Sequence, residues 1–359
     1  MDPQRPAKAI RRRRFRQRAV EAGQACLLMM GLCSAGCEPG PSAKPVTNRL
    51  VVYCSVDEAI SRPILEAYGE RAGVEVQVVY DSEAGKTTGL VQRIVSEARG
   101  GGSRADVFWS GEVFNTVVLA EMGLLAAYDP PSASDVPARF RDPQKRWTGT
   151  AVRARVIAFD PKRTPRSEVP TRWVDLAKRE VAGRTVIANP LFGTTKGHVA
   201  AMFLHLQGET LGRAWLEAMR IGGVQLADGN SSAVRAVIAG RADFAATDSD
   251  DVWLAQKSGA SLDLVYPDLG GGGTLLIPCT AAVVRGGANE SAARALVDHL
   301  VSAKVERLLA ESEARHISVH ETVRRALGVE WPAETVVDYA EVARVMAASE
   351  VAVREILIR

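Results

Sequence analysis

The sequence predicts an α/β protein of two lobes, each a mostly parallel sheet flanked by helices, joined by two hinge strands. Three observations predict it. Short apolar runs alternate with amphipathic helical stretches in βαβ order, which favours parallel sheets covered on both faces. The pattern stops at a stretch rich in Pro and Arg, 130–146, and then restarts. Two runs, 150–159 and 274–284, are long enough as strands to connect the halves. The chain's 359 residues match about two domains, each able to bury a core.

The elements follow in order. A short apolar strand is expected over 50–53. A helix over 61–72 carries Ile60, Ile64, Leu65 and Tyr68 on one face, with Gly73 as its stop. Val74, Val76, Val78 and Tyr80 alternate with polar residues, which is strand periodicity. Leu90, Val91, Ile94, Val95 and Ala98 mark a helix halted by three glycines. A buried strand over 105–109 and a helix over 113–122, closed by Gly123, complete the first run. After the long strand come a strand over 185–188, helices from Lys196 and Leu211, and a strand over 223–226. A helix over 231–239 and a strand over 244–247 follow, and everything from 290 onward reads as helical. The first lobe is assigned 49–152 and 277–359, the latter with the C-terminal helices, and the second lobe 153–276.

Composition narrows the function. The chain is 47% hydrophobic and 24% charged, the balance of a globular protein. Five cysteines and five histidines are too few for a disulfide scaffold or a zinc-ribbon array. No apolar run reaches the roughly 18 residues of a membrane span. Eight of the 45 basic residues but only two of the 42 acidic ones fall within 1–36, so the remainder is mildly acidic. That argues against a nucleic-acid partner.

Residues 1–36 have the parts of a secretory signal: a basic stretch to Arg18, an apolar run through Cys33, then Ser34, Ala35 and Gly36. Cys37 after Ala-Gly resembles a bacterial lipobox, whose cysteine receives lipid; an ordinary secretory signal or an anchor is the other reading. Arg12-Arg13-Arg14-Phe15 also resembles a twin-arginine core. Residues 37–48 hold three prolines and read as a tether. A folded body held at a membrane surface in the periplasm or cell envelope is expected.

Ligands in such sheets bind beyond the carboxyl ends of strands. Ser55 and Asp57 follow the first strand, and Ser110 and Glu112 the third. Gly193, Thr194, Thr195 and Lys196 open a helix, where free amides, hydroxyls and an ammonium group suit an anion; a plain helix cap is the alternative. Asp248, Asp250 and Asp251 repel one another by about 1 kcal/mol per pair at 4 Å in water. They suit a hard cation or an ammonium group, with Asp57, Asp81 and Glu112 adding oxygens. The other reading is solvated acids, with Asp250 capping a helix through Val252 and Trp253. Arg153 and Arg155 lie on one strand face, where one guanidinium can complete an anion site.

Other motifs carry less. Gly85-Lys86-Thr87 lacks the phosphate-loop glycine, because Tyr80 stands in its place. His316 and His320 lack the Glu of a helical zinc-protease motif and read as core or loop histidines. Cys54 has no nearby histidine to make it a nucleophile. Cys54 and Cys279 fall in core strands as free thiols, or as a disulfide pair in an oxidising compartment. No serine elbow is present, and no enzyme is expected.

From 50 to about 320 the chain resembles bacterial ABC-importer substrate-binding proteins, of the family that contains periplasmic ferric-ion-binding proteins. The likeness rests on Leu50-Val51-Val52-Tyr53, Ala105-Asp106-Val107-Phe108-Trp109-Ser110 and Met122-Gly123-Leu124-Leu125. It also rests on the stretch 147–156, similar to the family's hinge strand, and on Gly240-Arg241-Ala242-Asp243 before its binding loop. The resemblance implies a type 2 periplasmic-binding fold and delivery of a ligand to permease and ATPase subunits by a monomer. Asp250 and Asp251 stand where iron-binding members carry two tyrosines. Asp57 stands near their histidine, and Glu112 near their glutamate. The 193–197 turn resembles the place where relatives hold carbonate or phosphate. The implied cargo is Fe(III) or another metal with a bound anion, or else an organophosphonate such as aminoethylphosphonate; no other cofactor is implied.

Overall fold

Buried Leu50, Val52, Tyr53 and Cys54 make β1 (Arg49–Cys54) a core strand rather than an edge. The computed structural model describes residues 49–81 and 87–358. The expected signal (1–36), Cys37, the tether (37–48) and most of the Gly85-Lys86-Thr87 turn lie outside the described residues. The first helix, α1 (Glu58–Ala72), ends where Gly73 takes φ 63°, a left-handed conformation that costs glycine little. Then come β2 (Glu75–Tyr80), α2 (Thr88–Arg99), β3 (Val107–Ser110), α3 (Phe114–Glu121) and the two-residue β4 (Leu125–Ala126).

The long strand β5 (Thr148–Phe159) begins two residues before its apolar run. It leads to α4 (Arg179–Ala182), β6 (Thr185–Ala188), α5 (Gly193–His205) and α6 (Glu209–Gly222). Next are β7 (Gln225–Ala227), α7 (Asn230–Ile238), β8 (Phe244–Asp248), α8 (Ser249–Lys257) and β9 (Asp263–Val265). The chain closes with β10 (Leu276–Val284), α9 (Glu290–Leu300), α10 (Ala303–Glu311), α11 (Glu321–Leu327) and α12 (Tyr339–Ile356).

The strands of the described residues form one path, β2-β1-β3-β10-β5-β8-β6-β7, with β4 on β10 and β9 on β5. Pairing is parallel at both ends, in β2-β1-β3 and in β8-β6-β7, and antiparallel through the middle. Among the described residues only β5 belongs to both halves: Thr148 to Ala154 pair with β10, and Arg155 to Phe159 with β8. β10, expected as a second hinge strand, pairs only with β3, β4 and β5 of the first sheet. The return crossing is made just before it, where the Arg155 amide donates to the Leu275 carbonyl at 2.9 Å.

The C-terminal helix departs from the expected division. Tyr339, Val342, Met346, Ala352 and Val353 are buried on α12, which lies mainly against α5 and α6 of the second half and also touches α3. Residues 277–359 therefore complete both halves rather than the first alone. The halves also meet where Gly197 of α5 abuts the Phe114 ring of α3; a Cβ at 197 would lie 2.0 Å from that ring. No helix among the described residues is long and apolar enough to cross a membrane.

Candidate functional site

Parallel pairing brings the ends of β1 and β3 side by side, with Cys54 opposite Trp109. The polar atoms there turn onto neighbouring backbone and hydroxyls. The Ser55 hydroxyl accepts from the Gly111 amide at 2.9 Å and from the Thr87 hydroxyl at 3.1 Å. Ser110 is wholly buried and donates to the Glu112 carbonyl at 2.7 Å, so it supports the cleft floor from beneath. Glu112 caps α3: its carboxylate accepts from the amides of Phe114 (2.6 Å) and Asn115 (3.2 Å). Burial pushes the Glu112 carboxyl up to about 7, outweighing these amide bonds. It reaches the cleft wall as a structural cap, and the group of acids able to share one ion does not include it.

Across the cleft, three carboxylates cluster at the end of β8 and the first turn of α8. Asp248, Asp250 and Asp251 each offer an oxygen within 4.8 Å of the others. The helix N-terminus favours Asp250 and Asp251 electrostatically. Asp248 is itself the residue before α8 and its side chain makes no capping bond, while Asp250 lies within the helix with Oδ1 unpartnered and Oδ2 toward Arg153 and His316, so it is not the cap that its position suggested. Asp248 is fully buried and saturated with donors. Its Oδ1 accepts from Arg155 Nη1 at 2.7 Å, and its Oδ2 from the Thr194 hydroxyl at 2.6 Å and Asn230 Nδ2 at 2.8 Å. Asp251 accepts from the hydroxyls of Ser231 (3.0 Å) and Thr247 (3.1 Å).

Two arginines one residue apart on β5 supply the positive charge. Both reach Asp248, Arg155 at 2.7 Å and Arg153 at 3.8 Å. Arg155 is fully buried, its guanidinium 5.9 Å from the centre of the Trp173 ring, and it does not line the cleft. Arg153 does line the cleft, 3.2 Å from Asp250 Oδ2. Burial opposes the charge on Asp250, yet Arg153 and His316 beside it hold its carboxyl well below the usual carboxylate range.

His316 is a site neighbour that the sequence did not reveal. Its Nε2 lies 3.1 Å from Arg153 Nη2 and 3.5 Å from Asp250 Oδ2. A bridge between Ile317 and Val152 carries it there, and no local spacing announces that contact. Asn230, likewise unannounced, starts α7 and holds Asp248.

The turn at 193–196 divides. Gly193 starts α5 at φ 54°, and the residue before it, Phe192, makes no side-chain capping bond. Thr194 binds Asp248, and Thr195 donates to Asn230 Oδ1 at 3.4 Å. Lys196 points elsewhere, its Nζ 2.7 Å from Glu350 on α12, and it does not line the cleft. The expected ammonium contribution to an anion site is therefore taken up by a helix–helix contact. Cys54 and Cys279 are free and buried, and burial pushes their thiols up to about 12 and about 11. The cleft thus offers acids, hydroxyls and one cleft-facing guanidinium, polar groups able to orient a small ligand.

Residues 104–331 match the family model described as bacterial extracellular solute-binding protein. A Fe(3+)-binding periplasmic protein of Serratia marcescens is 29% identical over 204 residues, covering 57% of this chain and 58% of that protein's length. Iron-bound HitA from Pseudomonas aeruginosa superposes with a TM-score of 0.72 at 22% identity, covering 85% of this chain and 99% of that one. The ferric binding protein from Campylobacter jejuni gives 0.76 at 20% identity, covering 86% and 99%. The architecture is that of the type 2 periplasmic binding proteins.

Proposed function

The chain belongs to the bacterial extracellular solute-binding proteins, and we propose that it is the binding component of an ABC importer for Fe(III) or another hard metal ion with a bound anion. It would deliver this cargo to a permease and its ATPase, by binding rather than turnover. The observation that carries the reading is the Asp248, Asp250 and Asp251 cluster, whose oxygens lie within 4.8 Å of one another, with Asp57 lining the same cleft. Hard oxygen donors suit hard cations. The relatives named for iron agree with it. A phosphonate is disfavoured physically, because Lys196 is held by Glu350 and the Thr194 hydroxyl by Asp248.

The test is a thermal melt of chelator-stripped protein with ferric ion and carbonate, and separately with aminoethylphosphonate. At a hundredfold excess over Kd the metal should stabilise the fold by about 2.7 kcal/mol. Asp250→Asn/Asp251→Asn should fold and lose that response. An unmoved wild-type melt with ferric ion and with divalent metals rejects the reading. Lipid attachment at Cys37, with 37–48 as tether, belongs to the same proposal; intact-mass analysis of the mature N-terminus checks it, and a chain starting elsewhere or lacking lipid removes it.

A further inference from the structure

We infer that the metal arrives as a complex with an organic chelator whose apolar body fills a vestibule between α1, α8 and α10. This rests on the metal-cargo reading above and names the class of cargo. Two independent observations lead to it.

The first is a shortage of free donor atoms. Both oxygens of Asp248 already accept hydrogen bonds, from Arg155, Thr194 and Asn230, and both oxygens of Asp251 accept from hydroxyls. Asp250 Oδ2 faces Arg153 and His316. Its Oδ1 is buried and has no hydrogen-bond partner. A hard octahedral ion takes about six oxygen ligands. Each aspartate offers one ligand oxygen to a shared ion, so about half of a six-oxygen shell is left to other donors, and a chelator bound with the ion would supply them.

The second is the space beside the cluster. A cavity of about 720 Å³ is lined by Asp57, Asp250 and Asp251 together with Ile64, Leu254 and Leu308. Leu254 and Leu308 are 44% and 47% exposed, so apolar surface is open to a ligand there. A water takes about 30 Å³ of liquid volume, so an aqua ion or an ion with carbonate leaves most of this space unfilled. A small organic molecule fits the range of such sites, and apolar walls reward an apolar body. A lining that combines acids with leucines complements a chelate that carries both a metal and a ring or alkyl part. Lys304, also in the wall, suits the ionised donor groups of the chelator.

Isothermal titration of the chelator-stripped full chain tests this, using ferric 2,3-dihydroxybenzoate, ferric citrate, ferric ion with carbonate, and iron-free 2,3-dihydroxybenzoate. The aryl complex should bind about tenfold tighter than ferric citrate, and the iron-free ligand far more weakly than its complex. Leu254→Gln/Leu308→Gln, neutral changes at exposed positions, should remove the aryl preference, bringing the ratio of the two affinities close to one. Equal affinities for the ferric forms, or a preference that survives in the double variant, overturn the inference and leave the metal reading standing. Iron-free ligand binding as tightly as its complex also overturns it. No binding of any ferric form overturns both.

Discussion

At the ends of β1 and β3, Ser55, Ser110 and Glu112 spend their polar atoms on neighbouring amides, carbonyls and hydroxyls; at the end of β8, Asp248 and Asp250 spend theirs on Arg155 and Arg153. The first side is a shaped, nearly self-contained surface whose one buried acid is pushed toward neutrality. The second is a charge network drawn from β5, α5, α7 and β8, with Asp250 held ionised. The contrast assigns different work to the two sides. On the proposed reading a cation gains its electrostatic attraction from the second, while the first supplies shape and the Asp57 edge, and both sides contribute residues to the vestibule. It also separates two arginines that look alike in sequence: Arg155 builds the second side, and Arg153 faces the cleft.

The largest expected effect breaks the second side from within. Arg155→Leu leaves the fully buried Asp248 carboxylate without its closest cation. Losing one partner of a buried pair typically costs about 3–5 kcal/mol. Urea unfolding of the variant should show a loss of that size, and the double change Arg155→Leu/Asp248→Leu should recover part of it. A loss below about 1 kcal/mol would mean that Arg153 or water replaces Arg155, and the division between the two arginines would fall.

A smaller effect probes the first side through pH. The Glu112 carboxyl sits at about 7 in the folded chain against an ordinary 4.5. A folded value above the unfolded one means the native state binds the extra proton between them. The stability gained is therefore fully present below about 4.5 and is lost as pH rises through about 7. The whole span is on the order of 3 kcal/mol. Glu112→Gln keeps an acceptor for the Phe114 and Asn115 amides, and should flatten that slope in denaturant melts across the same window. A slope that persists in the variant locates the titration elsewhere.

Much of this was legible in sequence where it depended on neighbours along the chain. Gly73 and Gly123 both take positive φ at the helix ends that their positions foretold. The apolar periodicity located the principal strands and helices to within a few residues. The aspartate run was visible because three acids within four residues need few local explanations. What stayed hidden depends on contacts between distant segments. The buried face of α12 shows that the helix packs, but not that α5 and α6 are its main partners. His316 stands 163 residues from Arg153, and a bridge from Ile317 to Val152 brings it there. The pinning of Asp248 by Asn230 and Thr194 required three separate elements to meet. Sequence spacing showed which groups were chemically capable, and the tertiary contacts determined which remain available.

The smallest expected effect concerns Lys196, which follows Thr194 on Asp248 and Thr195 on Asn230. An α-helix turns by about 100° per residue, so the side chain after Thr195 leaves the cleft face. Its ammonium meets Glu350 of α12 instead, with the lysine side chain 11% and the glutamate 28% exposed. Partly exposed pairs of this kind contribute about 0–1 kcal/mol. Lys196→Met should therefore cost less than about 1 kcal/mol in urea unfolding, because its methylenes still pack between α5 and α12. Affinity for ferric ion with carbonate should be unchanged, whereas an ammonium group holding the bound anion would be missed strongly when removed. A tenfold loss of affinity with stability intact would show that Lys196 leaves Glu350 when ligand enters. The anion would then belong at the start of α5, and the first side of the cleft would face a partner more mixed in charge than the aspartates alone indicate.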